Sequence, residues 1–310
     1  MFAGFDLRDL PTTRGAIRAR VGGAGPALLL LHGYPESHVM WHSTAPLLAE
    51  RFTIVATDLT GYGGSFRPAP APDHVPHSKR AMAVDQVEAM AALGFERFAV
   101  AGHDRGGRVA YRMALDHPDR VERLAVLDIV PTGDVWRHAD RRFAQGYWHW
   151  GFLSQPAPLP ERLIGADPGA WFDHHVTRLG IGDDPARYPA EVVAEYRRAL
   201  ADPGAIEAIC EDYRAGASID AEHDEADRGR RRIACPVLAL WGSRGALPRF
   251  YDDVLAIWRE WAGDARGRAI EATHFLVEDR PEEVAAALVE FLSDQNPACA
   301  RPRAPGYCPR

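Results

Sequence analysis

The chain lacks any apolar stretch long enough to cross a membrane, and its start carries neither the basic residues nor the apolar run of a secretory signal. No bilayer span is therefore expected, and a cytoplasmic location is. Basic excess is missing as well: 36 Lys and Arg stand against 43 Asp and Glu, a formal net charge of -7. That balance offers no basic face to nucleic acid and opposes binding to anionic membranes, so any anion must be held by local charge. Cysteine is scarce. Cys210, Cys235, Cys299 and Cys308 have no metal-ligand spacing, and a disulfide framework would be out of character for a chain of 310 residues. Internal repeats and low-complexity domains are also missing.

What is present is enough apolar material for a large core, and a length beyond the size at which one core usually stops growing. One large domain with a smaller insertion fits both. Residues 16–21 alternate as a half-exposed strand, and 27–31 form a continuous apolar run typical of a buried one. Residues 39–51 read as a helix, 52–56 as a strand, 67–77 as a Pro-rich loop and 78–93 as a helix. Strands at 121–130, 236–242 and 266–271 and helices at 106–117 and 282–292 follow. Strand and helix alternate as a mostly parallel sheet covered on both faces requires. Between Pro131 and about Ile233 the pattern changes to aromatic-rich helical stretches. The last residues, rich in Pro and Arg, read as a solvated tail.

The organising stretch is 99–110, A-V-A-G-H-D-R-G-G-R-V-A. An apolar run stops at Gly102-His103-Asp104-Arg105-Gly106 before helix formers take over, which gives strand, sharp turn and helix. Glycines two places either side of Asp104 permit a strained turn that pushes its side chain outward, as in a nucleophile elbow. A carboxylate there can displace a leaving group from saturated carbon and form an ester. That chemistry points to alkyl halides or epoxides. Arg105 follows directly and Arg108 lies one helical turn beyond Asp104, so two guanidinium groups can reach the same pocket and suit a substrate carboxylate.

These residues resemble the haloacetate (fluoroacetate) dehalogenases of the α/β-hydrolase superfamily, over roughly residues 15–292. The resemblance implies an α/β-hydrolase fold, a mostly parallel sheet flanked by helices with an inserted helical cap. Its parts would be core at 1–132, cap at 133–232, core again at 233–294 and a disordered tail at 295–310. The loop His32-Gly33-Tyr34-Pro35 then supplies one oxyanion amide, from Tyr34, and the second comes from Arg105. The motif D-L-T-G-Y-G-G-S at Asp58 to Ser65 resembles a family loop of structural role, with Asp58 as a turn residue.

Hydrolysis of an ester on Asp104 calls for a general base and a group to orient it. Among 13 histidines, His274 lies after the last strand and before the final helix, where the superfamily carries its base. Many relatives place the acid after the strand that here ends at Trp241-Gly242, yet no carboxylate appears there until Asp252. Asp128, at the end of the preceding core strand, takes the role. By resemblance the halide donors are His149, Trp150 and Tyr213, and Trp148 is packing. A further cap tryptophan of the family has no clear counterpart in 171–180; Leu179 takes its place, with Trp171 a substitute only if the helix is shifted.

The implied activity is hydrolytic dehalogenation of a haloacetate to glycolate and halide through an aspartyl ester, with a small haloacid as partner and no cofactor, metal, nucleic acid or membrane. A homodimer is implied by resemblance alone. The alternatives are an epoxide hydrolase with the same Asp nucleophile and His base, which Arg105 and Arg108 disfavour, and a non-catalytic, ligand-sensing hydrolase fold.

Overall fold

A computed structural model of the chain describes residues 1–179 and 187–294, with the backbone alone for 177–179. The proposed tail with Cys299 and Cys308, and the Leu179 side chain, lie outside the described residues. Eight strands form one sheet: β1 (Asp6–Pro11), β2 (Ala16–Gly23), β3 (Ala27–Leu31), β4 (Thr53–Thr57), β5 (Phe98–His103), β6 (Val121–Leu127), β7 (Val237–Gly242) and β8 (Ala265–Ile270). Their order is β1-β2-β4-β3-β5-β6-β7-β8, and β2 alone runs against the rest. The four leucines 28–31 are fully buried, because β3 has β4 on one side, β5 on the other and helices above and below.

The chain passes from β3 outward to β4 and then returns beyond β3 to β5. Connections therefore part company between β3 and β5, and at such a switch point the carboxyl ends of the two strands border a crevice. The loop with Tyr34 leaves β3 there, and Asp104 leaves β5. Helix Asp104–Asp116 follows at once and packs against β5, β6 and helix Lys79–Ala92, which accounts for its burial on nearly every side.

Between β6 and β7 the described residues contain eight helices and no strand: Thr132–Arg137, Arg141–Gly146, Trp148–Leu153, Leu159–Ala166, Pro168–Leu179, Ala190–Leu200, Pro203–Ala217 and Ile219–Asp227. No helix among the described residues is long and apolar enough to cross a membrane. One local expectation fails, and one strand was not expected. Residues 39–51 are not one helix but a 3-10 turn, His38–Trp41, and a short helix, Thr44–Leu48. Pro46 has no N–H and fits only a first helical turn, so the helix must start just before it. Strand β1 carries no apolar alternation, since only Leu10 of its residues is buried, and it is recognisable only from its pairing with β2.

Candidate active site

The elbow owes its geometry to close backbone contacts. Asp104 has φ +44°, in the left-handed region that costs any residue with a Cβ. A Cβ on Gly102 would sit 2.4 Å from the Gly106 carbonyl oxygen, and one on Gly106 would sit 2.5 Å from that of His32. Glycine on both sides is thus a steric requirement of this turn.

Asp104 is buried and faces the described end of the β3 loop, where the Tyr34 N–H donates to its Oδ1 over 3.1 Å. Burial alone would raise its carboxyl. Attraction to His274, Arg108, Arg105 and His103 outweighs that and holds Asp104 below the usual carboxylate range. The nucleophile candidate is therefore ionised at neutral pH.

His274 Nδ1 donates to Asp128 Oδ2 over 2.6 Å, and the Gly242 N–H donates 2.9 Å to Asp128 Oδ1. With Nδ1 so occupied, Nε2 is the ring nitrogen left to take up a proton. Asp128 also has positive φ, +53°, which turns its side chain from the end of β6 toward β7 and His274. His103, the residue before Asp104, was assigned no role from sequence. Its Nε2 donates to the His274 carbonyl oxygen and its Nδ1 lies 3.1 Å from Glu36 Oε2. Burial would lower this ring, but Glu36 raises it to about 9, so His103 is an imidazolium at neutral pH.

The two arginines stand differently from one another. Arg105 turns its Nε and Nη2 to the carboxylate of Asp212, each at 2.8 Å, and its guanidinium carbon lies 4.2 Å from the Tyr213 ring centre. Arg108 forms no ion pair with a carboxylate among the described residues, although its charge acts on Asp104. It donates to Val130 O and Thr132 Oγ1 and lies 4.5 Å from the Trp150 ring centre. Among the described residues, one buried nitrogen of each arginine has no hydrogen-bond partner: Nη1 of Arg105 and Nε of Arg108. Each is a charged donor able to bond an anion.

The aromatic residues gather as a group. Tyr213 lies 5.8 Å from His149 and 5.9 Å from Trp150, ring centre to ring centre, and Tyr34 packs on both Tyr213 and His149. Trp148 points away and packs with Phe152 and Trp171. Sequence reasoning passed over His175, whose ring lies 4.5 Å from that of His149, and did not see that the Trp171 indole donates to Tyr34 Oη over 2.8 Å. Their spacing of four on helix Pro168–Leu179 was the available signal, since it puts both on one face. Tyr147 was also passed over. Burial, with Asp128 and Asp104 nearby, raises its phenol well above the ordinary value and keeps it protonated. Asp58 behaves as the structural residue expected: it accepts from the His38 and Gly64 N–H groups, and although burial would raise its carboxyl, His38 holds it at about 2. No group of three or more His, Cys, Asp or Glu among the described residues is placed to hold a metal ion.

An acid on an elbow at the end of β5, a His–Asp pair at the ends of later strands and a helical insertion over them define a hydrolase. A family model described as the alpha/beta hydrolase fold matches residues 26–281, and the chain belongs to that superfamily. Within it, the chain is 48% identical over 298 residues to a fluoroacetate dehalogenase from Burkholderia sp, covering 95% of this chain and 96% of that one. It is 33% identical to a soluble epoxide hydrolase from Corynebacterium sp. (strain C12), over 87% and 91% of the two chains. A crystal structure assigned to the alpha/beta hydrolases, from Nostoc sp PCC 7120, superposes with a TM-score of 0.91 at 52% identity, covering 94% of this chain and 99% of the other.

Proposed function

We propose that the protein is a haloacetate dehalogenase that releases halide and glycolate through an ester on Asp104. The observation that carries the reading is the pair of unpartnered guanidinium N–H groups, on Arg105 and Arg108, beside an ionised, buried Asp104. A cation pair suits a substrate that brings its own carboxylate. Bringing that anion to an anionic nucleophile is repulsive, and the arginines offset the repulsion before reaction. The Burkholderia relative agrees with this chemistry.

In this reading an Asp104 carboxylate oxygen attacks the halogen-bearing carbon, the new C–O bond forms as the carbon–halogen bond breaks, and the halide leaves with both bonding electrons. His149, Trp150 and Tyr213 direct N–H and O–H groups at the departing ion. His274, oriented by Asp128, then takes a proton from water, and the resulting hydroxide adds to the Asp104 carbonyl carbon. The Tyr34 and Arg105 amides hold the oxyanion until the bond from the Asp104 carbonyl carbon to the glycolate oxygen breaks; that oxygen takes the proton back from His274, and glycolate and the Asp104 carboxylate are released. The cycle needs no cofactor, and the reading includes the domain division above and a cytoplasmic homodimer.

One feature favours a second reading. Tyr147 and Tyr213 are both protonated phenols close to Asp104, and an epoxide hydrolase needs such donors for the opening epoxide oxygen. Halide release from fluoroacetate and chloroacetate at neutral pH, without added cofactor, tests the first reading. No release from either acid, with turnover of an epoxide, replaces it with the second.

A further inference from the structure

The carboxylate that grips Arg105 comes from the helical insertion. Asp212, on helix Pro203–Ala217, is fully buried and accepts from Arg105 Nε and Nη2, from Tyr62 Oη over 2.7 Å and from Lys79 Nζ. Its own backbone carbonyl accepts a further bond from Arg105 Nη2 over 2.9 Å. Lys79 is likewise fully buried, and its second carboxylate partner is Asp220, at 3.4 Å. Arg105, Lys79, Asp212 and Asp220 therefore close as two cations and two anions.

The grip leaves little freedom. Three bonds take the Nε and Nη2 edge of the guanidinium, the Tyr213 ring lies along its face, and Gly216 leaves room for it, since a Cβ there would come within 3.3 Å of Nη2. One nitrogen, Nη1, is left without a partner. A guanidinium held by one edge offers its other N–H groups in a fixed direction, and little side-chain entropy remains to be lost when they bind.

We infer that Asp212 is a positioning residue for substrate: by clamping the Nε and Nη2 edge of Arg105 it presents Nη1 to the substrate carboxylate. The inference rests on the dehalogenase reading and deepens it. Recognition is then asymmetric. Arg105 contributes one directed NH2 group, at Nη1, and, being charge-balanced by Asp212, little net charge, whereas Arg108 contributes the uncompensated cation. A site of this form selects small carboxylates whose two oxygens can engage unlike donors, and it penalises the corresponding neutral amides chiefly through Arg108.

Two roles of Asp212 predict opposite outcomes. As a mere damper of Arg105's charge, its replacement by Asn would make the site more positive and tighten anion binding. As a positioning residue, its loss lets the guanidinium drift and weakens binding. Calorimetric titration of chloroacetate into Asp104→Asn, which binds without reacting, is compared with titration into Asp104→Asn/Asp212→Asn. The expected result is affinity weakened about tenfold or more. In the chain with Asp104 intact, Asp212→Asn should raise KM by a similar factor and leave kcat at saturation within about threefold. Unchanged or tighter binding overturns the inference. If Asp212→Asn does not fold, Lys79→Met/Asp212→Asn removes one buried cation with the anion, and the same weakening is expected. Chloride release by the unmodified protein reports separately on the dehalogenase reading, so its failure and a failure of the positioning role are told apart.

Discussion

His103 Nε2 donates to the backbone carbonyl oxygen of His274 over 2.9 Å, which ties the residue before the nucleophile directly to the loop that carries the base. The bond sets the distance between the two halves of the reaction. It is made by a cation held by Glu36, and Glu36 in turn touches Glu278, whose carboxyl burial and Glu36 raise well above the ordinary value. The carboxyl groups facing His103 are thus those of Glu36 and Asp104, with that of Glu278 behind.

This arrangement has a pH signature. The folded chain binds the His103 proton more tightly than the unfolded chain, so the stabilisation is complete below the ordinary value of 6.5 and is lost as pH rises through about 9. A loss on the order of 3 kcal/mol is expected between neutral pH and about pH 10. Urea unfolding at both ends of that window measures it, and His103→Gln should flatten the slope. An equal slope in the variant would assign the loss to another group.

Asp104→Asn should abolish halide release, by roughly 10⁴-fold or more. His274→Asn should release halide once and stop, with one carboxymethyl group in ester linkage on Asp104 that intact-mass spectrometry detects. Normal turnover by His274→Asn would mean that another group activates water.

The elbow glycines should tolerate no methyl group. Gly106→Ala places a Cβ 2.5 Å from the His32 carbonyl oxygen and 2.6 Å from Leu31. Destabilisation of roughly 1–3 kcal/mol is expected in denaturant unfolding, with a loss of activity in the molecules that remain folded. Gly165→Ala is the control, since that glycine lies in helix Leu159–Ala166 with open space where a Cβ would sit.

Trp171→Phe keeps the ring and removes the donor to Tyr34. About 1 kcal/mol of stability should go with that bond. Because Tyr34 also supplies the amide that holds Asp104 and packs against His149, the ratio of fluoride to chloride release should shift as well. Stability lost with an unchanged ratio would confine Trp171 to packing.

Much of this site was legible along the chain because its parts sit at strand ends, where short motifs coincide with turns. Asp104 and Asp128 each follow a recognisable apolar run, His274 stands between the last strand and the final helix, and the carboxylate missing after Trp241-Gly242 directed attention to Asp128. The Asp212 cluster was not legible. Its members, Tyr62, Lys79, Arg105 and Asp212, come from four separate elements, and no spacing relates residues that meet only when the insertion folds down on the sheet. Polar groups of that kind read as surface until burial is known. His103 was hidden for a different reason: its charge depends on Glu36, a residue whose loop position looks like that of any exposed glutamate. Strand β1 escaped because an edge strand with one buried residue has no pattern to show.

The φ of +44° at Asp104 also bears on ancestry. A left-handed backbone is least hostile to glycine, asparagine and aspartate, and it is closed to valine, isoleucine and threonine, whose branched Cβ collides with the main chain. Any lineage that changed its reaction by replacing the residue at this turn had to choose among unbranched side chains. The repertoire open to such descendants was filtered by a single torsion angle before any substrate could select among them.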